Sequence, residues 1–443
     1  MIEFKRGGGS TKRSAASASA SPSAHRAKNW KLRSVIAVVC LVIGGSSVAG
    51  SLARVVDRAA PAQGFAIDGA NGVIAASYAE QEFRQSPSAD VGSKPDILAR
   101  QALIADPTVA EAVNVLALQA QLRSEPDAAQ GLFEYSLLLS RRELSARVWA
   151  IEEAVERGDI ATALSHYDFA LRTSSRAEDV LLPNLIAALS QPAIRAELLK
   201  TFANEPPWGT KFLSEASVKA QDPEAVLAFF EAGKDGEVLP LSDAPKAYLV
   251  NNLFSAGKID AAWDYYSQYQ SGAVASKSRD AAFQYEADAR SVFDWQQSVE
   301  DGFSVNFLNN EEAGGLDFAV QTGKTGLVVQ QRQVLPQGAY RLAGVAANVD
   351  APDRARPYWL VQCAEGQELA RIEIPAAENE NASFSSAFTV PQGCAAQTLS
   401  LIARASDRIS GVSGQMLSIS IVPTTSAASP ASPTNEELSL IHI

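Results

Sequence analysis

The chain has 443 residues, of which 47% are hydrophobic and 20% charged, and its formal net charge is −12. This length predicts two or three domains rather than one. The charge is uneven, because the first 33 residues carry eight Lys or Arg and one acid, which leaves a net −19 on the remainder. A surface this acidic repels phosphate backbones, so nucleic acid is excluded as a partner of the larger part.

The N-terminal segment predicts a basic tail followed by a membrane span. Residues 1–33 are Ser/Ala/Gly-rich and basic without apolar periodicity, so we expect a disordered cytoplasmic tail. Residues 34–53 are predicted to form a transmembrane helix, since 35–53 contain no charge and approach the ~20 residues that a crossing needs. Positive charge beside a span stays in the cytoplasm, which places the larger part outside. The alternative is a signal peptide cleaved near Ala49.

The region 96–290 shows helical periodicity throughout, after a connector with a short helix at 54–95. A small–aromatic pair recurs within it: Ala129 and Phe133 are followed 34 residues later by Ala163 and Tyr167. This period and pattern resemble the tetratricopeptide repeat, in which small residues let helices approach and the aromatic fills the gap. The residues predicted to pack between repeats are Ala129, Phe133, Ala163, Tyr167, Ala170, Ala225, Phe229, Ala262 and Tyr266.

The repeat is irregular. The early Trp, Gly and Tyr typical of the family's first helix are mostly missing, and the period is lost between about 181 and 222, where Pro183, Pro192, Pro206 and Pro207 are expected to bound helices. We therefore predict a tetratricopeptide-like α-solenoid rather than a strict array, with a concave helical face for protein partners.

From residue 293 to 422 the helical period gives way to short β-rich runs between turn residues. Nine strands at regular spacing predict an antiparallel β-sandwich. They are expected at 303–308, 316–321, 326–334, 339–348, 358–363, 369–374, 383–390, 398–405 and 416–422.

The cysteines divide between the two sides of the predicted membrane. Cys40 lies in the span, whereas Cys363 and Cys394 lie 31 residues apart on the exported side, where disulfides persist. We expect these two to form a disulfide. The alternative is a pair of independent buried thiols.

The β region resembles the jelly-roll folds of carbohydrate-binding modules. The resemblance rests on Gly338-Ala-Tyr-Arg-Leu342 after a Pro-x-Gly-x-Tyr turn, and it implies glycan binding through aromatic faces. Trp295, Tyr340 and Tyr358 are the candidates, with core packing as the alternative for each. Neighbouring strand residues point to opposite faces, so one of Tyr358 and Trp359 is expected inside and the other outside. Trp359 is expected inside, near Cys363, and Tyr358 outside.

Catalytic patterns are scarce, which favours a non-enzymatic protein without cofactor or metal. His166 is the one histidine in a predicted folded region, and the sequence has no nucleophile elbow and no phosphate-binding loop. Glu311, Glu312 and Asp317 leave open a carboxylate-dependent glycan hydrolase or lyase. The run from Glu378 to Asn381 is expected to be a hydrophilic loop rather than a calcium site.

The order of anchor, solenoid and sandwich resembles accessory proteins of bacterial surface-polysaccharide production or export. It implies a single-pass inner-membrane scaffold with its bulk in the periplasm, envelope proteins on the solenoid, and polysaccharide or protein on the sandwich. A pure protein adaptor is a further alternative. Residues 423–443 are predicted to be a disordered tail. Residues 438–443 resemble the translated end of a sequencing transposon, so they are expected to have no biological role.

Overall fold

The computed structural model describes residues 30–235, 238–310 and 313–424. They form two compact units that divide in the sequence between Ala150 and Ile151. The predicted disorder at 1–29 and 425–443, including the ending at 438–443, lies outside the described residues.

The helices of the described chain are α1 (Trp30–Asp57), α2 (Pro61–Ile67), α3 (Gly72–Gln85), α4 (Lys94–Ala105), α5 (Ala110–Leu122), α6 (Pro126–Leu139), α7 (Leu144–Glu156), α8 (Ile160–Thr173), α9 (Ser175–Ala188), α10 (Pro192–Phe202), α11 (Gly209–Lys219), α12 (Pro223–Asp235), α13 (Asp243–Ser255) and α14 (Ile259–Tyr269).

Helix α1 contains the predicted span and extends beyond it at both ends. It runs for 28 residues, or roughly 42 Å at 1.5 Å per residue. It is long and apolar enough to cross a membrane, and its apolar side chains are exposed. The helix begins at Trp30, so residues 30–33 belong to it and not to the predicted disordered tail. Leu, Lys and Arg favour helix, which explains this extension.

The first unit packs its helices through small side chains. Ala75, Ala76 and Ala79 of α3 form a buried cluster with residues of α4 and α5. Gly72 begins α3 where a Cβ would lie 2.8 Å from the Ala102 carbonyl oxygen, so only glycine allows this approach. The predicted connector 54–95 thus contains two helices, and the second of them belongs to the core of the unit.

The second unit contains helices where the repeat period is lost. Pro192 begins α10, whereas Pro183 lies inside α9 and does not bound a helix as predicted. Proline removes one helical hydrogen bond, but burial of Leu182, Leu185 and their neighbours offsets that cost. Phe202, the last residue of α10, contacts Trp208, Phe212 and Phe229 with ring centroids 5.5–5.9 Å apart.

The residues predicted to pack between repeats are buried with one exception. Tyr167 is half-buried, and the other eight have at most 7% of their surface exposed. In the first unit Phe133 stacks on Trp149 with centroids 5.0 Å apart. In the second unit Tyr266 is fully buried beside Trp263 and Phe293.

The helical region ends at Tyr269, about twenty residues before the predicted boundary. Residues 270–295 instead run as irregular chain into the β-sandwich. Phe283 and Trp295 from this segment are buried in the sandwich core with centroids 4.9 Å apart. The Trp295 indole donates to the Asp280 carbonyl at 2.9 Å. The segment is therefore built into the sandwich, because its aromatic side chains complete that core.

The sandwich consists of two five-stranded antiparallel sheets. Each of the nine predicted strands is present, and a two-residue strand precedes them. The strands are β1 (Gln296–Gln297), β2 (Phe303–Asn310), β3 (Ala313–Val320), β4 (Gly326–Gln333), β5 (Gly338–Asp350), β6 (Tyr358–Cys363), β7 (Glu368–Glu373), β8 (Ala377–Val390), β9 (Gln397–Ala403) and β10 (Val412–Pro423). The first sheet has the order β1-β4-β9-β6-β7, and the second has β2-β3-β10-β5-β8.

The core between the sheets is apolar and is closed by a disulfide. Trp359 of β6 is fully buried, whereas Tyr358 faces outward, as the alternation predicts. The disulfide joins Cys363 to Cys394 across a Cα–Cα distance of 5.5 Å, which confirms the predicted pairing. Cys40 is free and exposed on α1.

Candidate functional site

Two of the three aromatic residues predicted to bind sugar lie in the sandwich core. Trp295 is 2% exposed and Tyr340 is 3% exposed. The Tyr340 hydroxyl donates to the Pro336 carbonyl at 2.9 Å, and its ring stacks on Phe388. Neither ring has a face open to solvent, so neither is available to stack on a sugar in this structure. Both residues pack in the core, which is the alternative to sugar binding given for them above.

Tyr358 lies on the outer face of the first sheet, under two guanidinium groups. Arg371 and Arg404 approach its ring centroid to 4.6 and 4.7 Å, which is a cation–π arrangement. Arg371 pairs with Glu368, and Arg404 pairs with Glu373. The ring is half-buried, so Tyr358 is the one predicted aromatic candidate that reaches the surface.

The outer face of the second sheet carries a row of polar side chains across four strands. Asn306 of β2 lies opposite Asp317 of β3, and Asp317 lies opposite Gln415 of β10. Asn348 of β5 completes the row, since its Nδ2 donates to Oε1 of Gln415 at 2.9 Å. We call these four residues the polar row.

A backbone irregularity brings Asn348 into this row. The pairing of β5 with β8 shifts register between Ala347 and Val349, and Asn348 has a φ of +50°. Asparagine tolerates this left-handed conformation better than most residues. A bulge of this kind changes the direction in which a side chain points. Outward strand positions were visible in the sequence, but the register that aligns four of them was not.

Small residues flank the polar row and form two open depressions on the same face. One depression of about 300 Å³ surrounds the row and includes Ser304, Ala319 and Ser413. The other, of about 390 Å³, lies over β5, β8 and β10 and includes Arg341 and several serines. Short side chains allow a ligand to approach the strands closely. We call the polar row and the two depressions the sheet groove.

Asp317 holds an unpaired oxygen in the sheet groove. Its Oδ1 is buried and has no hydrogen-bond partner among the described residues. A buried carboxylate oxygen without a partner is costly, so it favours a ligand that donates a hydrogen bond or carries positive charge. Glu311 and Glu312, which the sequence grouped with Asp317, lie outside the described residues.

The other candidate ligand sets do not form sites in the described chain. Cys363, Glu365 and Cys394 bring potential metal ligands together, but both sulfur atoms are consumed by the disulfide. His166 is half-buried on α8 and is the only histidine in the described ranges. Residues 378–381 belong to strand β8, so the predicted hydrophilic loop is wrong, and the side chains of residues 378–380 lie outside what the structure describes.

Comparisons with known proteins give matches to solved structures only. No protein-family model matches the chain, and no curated protein sequence matches it. The tailspike protein 4 enzymatic domain of bacteriophage CBA120 matches 34% of the chain with 15% identity and a TM-score of 0.26. The chain covers 22% of that tailspike domain.

Two carbohydrate-binding modules are among the other matches. A module titled TmCBM61 in complex with β-1,4-galactotriose shares 13% identity, covers 29% of this chain and 88% of its own, and has a TM-score of 0.22. A module titled CBM4 also shares 13% identity, covers 33% of this chain and 96% of its own, and has a TM-score of 0.25.

Proposed function

We propose that this protein is a non-enzymatic, membrane-tethered scaffold whose β-sandwich binds a glycan chain along the sheet groove. The observation that carries this proposal is the polar row, with its unpaired Asp317 oxygen between the amides of Asn306 and Gln415. We propose that the protein lies in the bacterial envelope, with its anchor in the inner membrane and the bulk of the chain in the periplasm.

The chemistry of the polar row suits a sugar. Vicinal hydroxyl groups donate and accept hydrogen bonds, and amide and carboxylate side chains can satisfy both roles. A hydroxyl that donates to Oδ1 of Asp317 would satisfy an oxygen that otherwise has no partner. A hydrogen bond to a charged group contributes about 1.5–3 kcal/mol. The open shape of the two depressions suits a chain that passes across the strands rather than an enclosed small molecule.

A binding role is favoured over hydrolysis by the carboxylates available. Glycosidases of the usual kind use two carboxyl groups about 5–10 Å apart. The lining of the sheet groove within the described residues supplies one such carboxylate, Asp317. We therefore propose recognition without bond cleavage.

We also propose roles for helix α1 and for the stacked helices. Helix α1 would anchor the chain, and the basic tail before it would stay in the cytoplasm. The stacked helices would bind envelope proteins, because such arrays present extended concave surfaces. Surface-polysaccharide production or export is the process that we propose for this combination.

Binding of envelope polysaccharides to the purified full chain in mild detergent tests the glycan proposal. We expect Asp317→Asn to weaken binding about tenfold, as the loss of one charge-assisted hydrogen bond predicts. Asp301→Asn is the matched control, because Asp301 is exposed in the turn before β2 and lies outside the groove.

The remaining outcomes separate the alternatives. If Tyr358→Ala abolishes binding and Asp317→Asn does not, the glycan binds the first sheet instead of the groove. Release of shorter sugars would support the hydrolase or lyase alternative. No binding to any envelope glycan, together with crosslinking to envelope proteins, would favour the protein adaptor.

A further inference from the structure

A separate cavity lies in the helical part of the second unit. It has a volume of about 360 Å³ and opens between α12, the segment 238–242, α13 and α14. Phe230 and Tyr265 form its buried walls, and they are 1% and 5% exposed. Leu239, Leu241 and Tyr269 complete the apolar lining. The cavity has no part in the proposed glycan site, which lies on the sandwich.

One wall of the cavity depends on a glycine. A Cβ on Gly233 of α12 would lie 2.3 Å from Cγ of Leu239, well inside van der Waals contact. Leu239 can therefore close over α12 only because position 233 has no side chain. This contact holds the apolar wall in place, so the cavity is a formed feature of the unit. Cavities of this size that are mostly apolar with a few polar groups are typical of small-molecule sites.

The charged groups of the cavity are two lysines. Its neutral polar groups are Gln268 and the tyrosine hydroxyls, and the buried Tyr269 hydroxyl has no hydrogen-bond partner among the described residues. The Lys246 side chain is only 23% exposed, and its Nζ lies 5.6 Å from the ring centroid of Tyr269. Its ion-pair partner is Asp243, at 3.3 Å. Lys234 forms no ion pair with the described residues. Asp243 pairs with Lys246, and burial together with the Glu231 charge raises the pKa of the Tyr265 hydroxyl, so both lysines act in a cavity with carboxylates nearby.

We propose that this cavity binds a small carboxylate that carries an aromatic or branched apolar group. The apolar group packs between Phe230 and Tyr265, and the carboxylate accepts from the ammonium groups of Lys234 and Lys246. Desolvated aromatic walls also strengthen the attraction between the lysines and the carboxylate, because the local dielectric constant is low.

This chemistry has two sources, a free small acid and the C-terminal carboxylate of a polypeptide that ends in an apolar residue. Both present one carboxylate beside an apolar side chain. They differ in whether the chain that precedes the terminal residue contributes to binding. A peptide and its free terminal-residue analogue therefore separate the two sources.

Isothermal titration of the full chain in mild detergent tests the proposal. The probe is 3-phenylpropionate, and 3-phenylpropylamine has the same apolar body with the opposite charge. We expect the acid to bind at least tenfold more tightly than the amine. We expect Lys246→Gln or Lys234→Gln to weaken binding of the acid about tenfold, since each removes a charge-assisted hydrogen bond. Lys277→Gln is the matched control, because Lys277 is exposed and lies outside the cavity.

Two results would overturn the proposal: equal binding of the acid and the amine, or unchanged binding of the acid in both lysine variants. Lys234 is exposed and the Lys246 side chain is partly exposed, so these variants leave the apolar walls in place, and circular dichroism verifies their fold. A peptide with a free C-terminal Phe that binds tenfold more tightly than 3-phenylpropionate supports the polypeptide source. Equal affinity of the two supports the free acid.

Discussion

The Tyr266 hydroxyl donates to Oδ1 of Asp294 at 2.7 Å, with both residues buried, and so joins the last helix to the sandwich. Arg279 pairs with the same carboxylate, whose other oxygen accepts from the Ser291 backbone and hydroxyl at 2.9 and 2.8 Å. Burial and the Asp294 charge raise the pKa of Tyr266 far above its ordinary value, so the hydroxyl remains a donor. Phe293 packs against Trp263 and Tyr266 beside this network.

We expect Asp294→Ala to destabilise the second unit by about 3 kcal/mol. The substitution leaves the Arg279 guanidinium buried without its carboxylate, and breaking a buried pair in this way costs about 3–5 kcal/mol. Urea denaturation followed by circular dichroism measures the change. Tyr266→Phe, which removes one neutral donor and keeps the ion pair, should cost only about 1 kcal/mol. Equal midpoints for Asp294→Ala and the wild type would contradict this role.

Reduction of the disulfide should destabilise the sandwich. Cys363 and Cys394 close a loop with a sequence separation of 31, for which chain entropy predicts roughly 3–4 kcal/mol. We expect a lower melting temperature for the full chain in dithiothreitol and for the variant with both cysteines replaced by alanine. Cys40→Ser should leave the melting temperature unchanged, because Cys40 is free and exposed. A reductant effect that persists in the double variant would contradict the prediction.

Glu143 is expected to make stability depend on pH. Burial, with smaller effects from Glu111 and Glu80, raises the pKa of Glu143 to about 7. The Asn114 amide, which is 3% exposed, lies beside this carboxyl and offsets only a small part of the rise. Because the folded pKa exceeds the unfolded value of about 4.3, the folded state binds the proton more tightly and loses stability as pH rises from about 4 to 7.

Replacing this carboxyl should therefore stabilise the protein at high pH. We expect Glu143→Gln to raise the free energy of unfolding by about 2 kcal/mol at pH 8 and to change it little at pH 4. Urea denaturation at both pH values measures the difference. Glu134→Gln is the control, because Glu134 is exposed on α6. The same shift at both pH values would show that charge on Glu143 is not responsible.

The anchor should retain the full chain in membranes. Helix α1 has the length and composition of a membrane span, and we expect alkaline carbonate to leave the protein in the membrane pellet. Deletion of residues 30–57 should release it to the supernatant. Mass spectrometry of the N-terminus in both the pellet and the supernatant distinguishes the anchor from the signal-peptide alternative, since a mature N-terminus near residue 50 in the supernatant would show cleavage.

The sequence by itself determined which regions are helical and which are β, and which face of a strand certain residues occupy. A period of two places alternate side chains on opposite faces of a strand, so nine strands and the buried position of Trp359 followed from pattern. The pairing of Cys363 with Cys394 followed from counting cysteines on one side of a span. Strand alternation depends on near neighbours along the chain, and the number of cysteines on one side of a span can be counted, so the sequence displays both directly.

Only the tertiary structure decided which surfaces remain available. Trp295 is buried because residues 270–295 pack into the sandwich core. This is a long-range contact that no local sequence period encodes. The polar row depends on the register of four strands, since a shift of one residue would turn Asp317 to the opposite face. The cavity beside Lys246 likewise requires the close packing of Leu239 on Gly233. Sites assembled from distant residues are set by packing, and packing is decided by the whole fold.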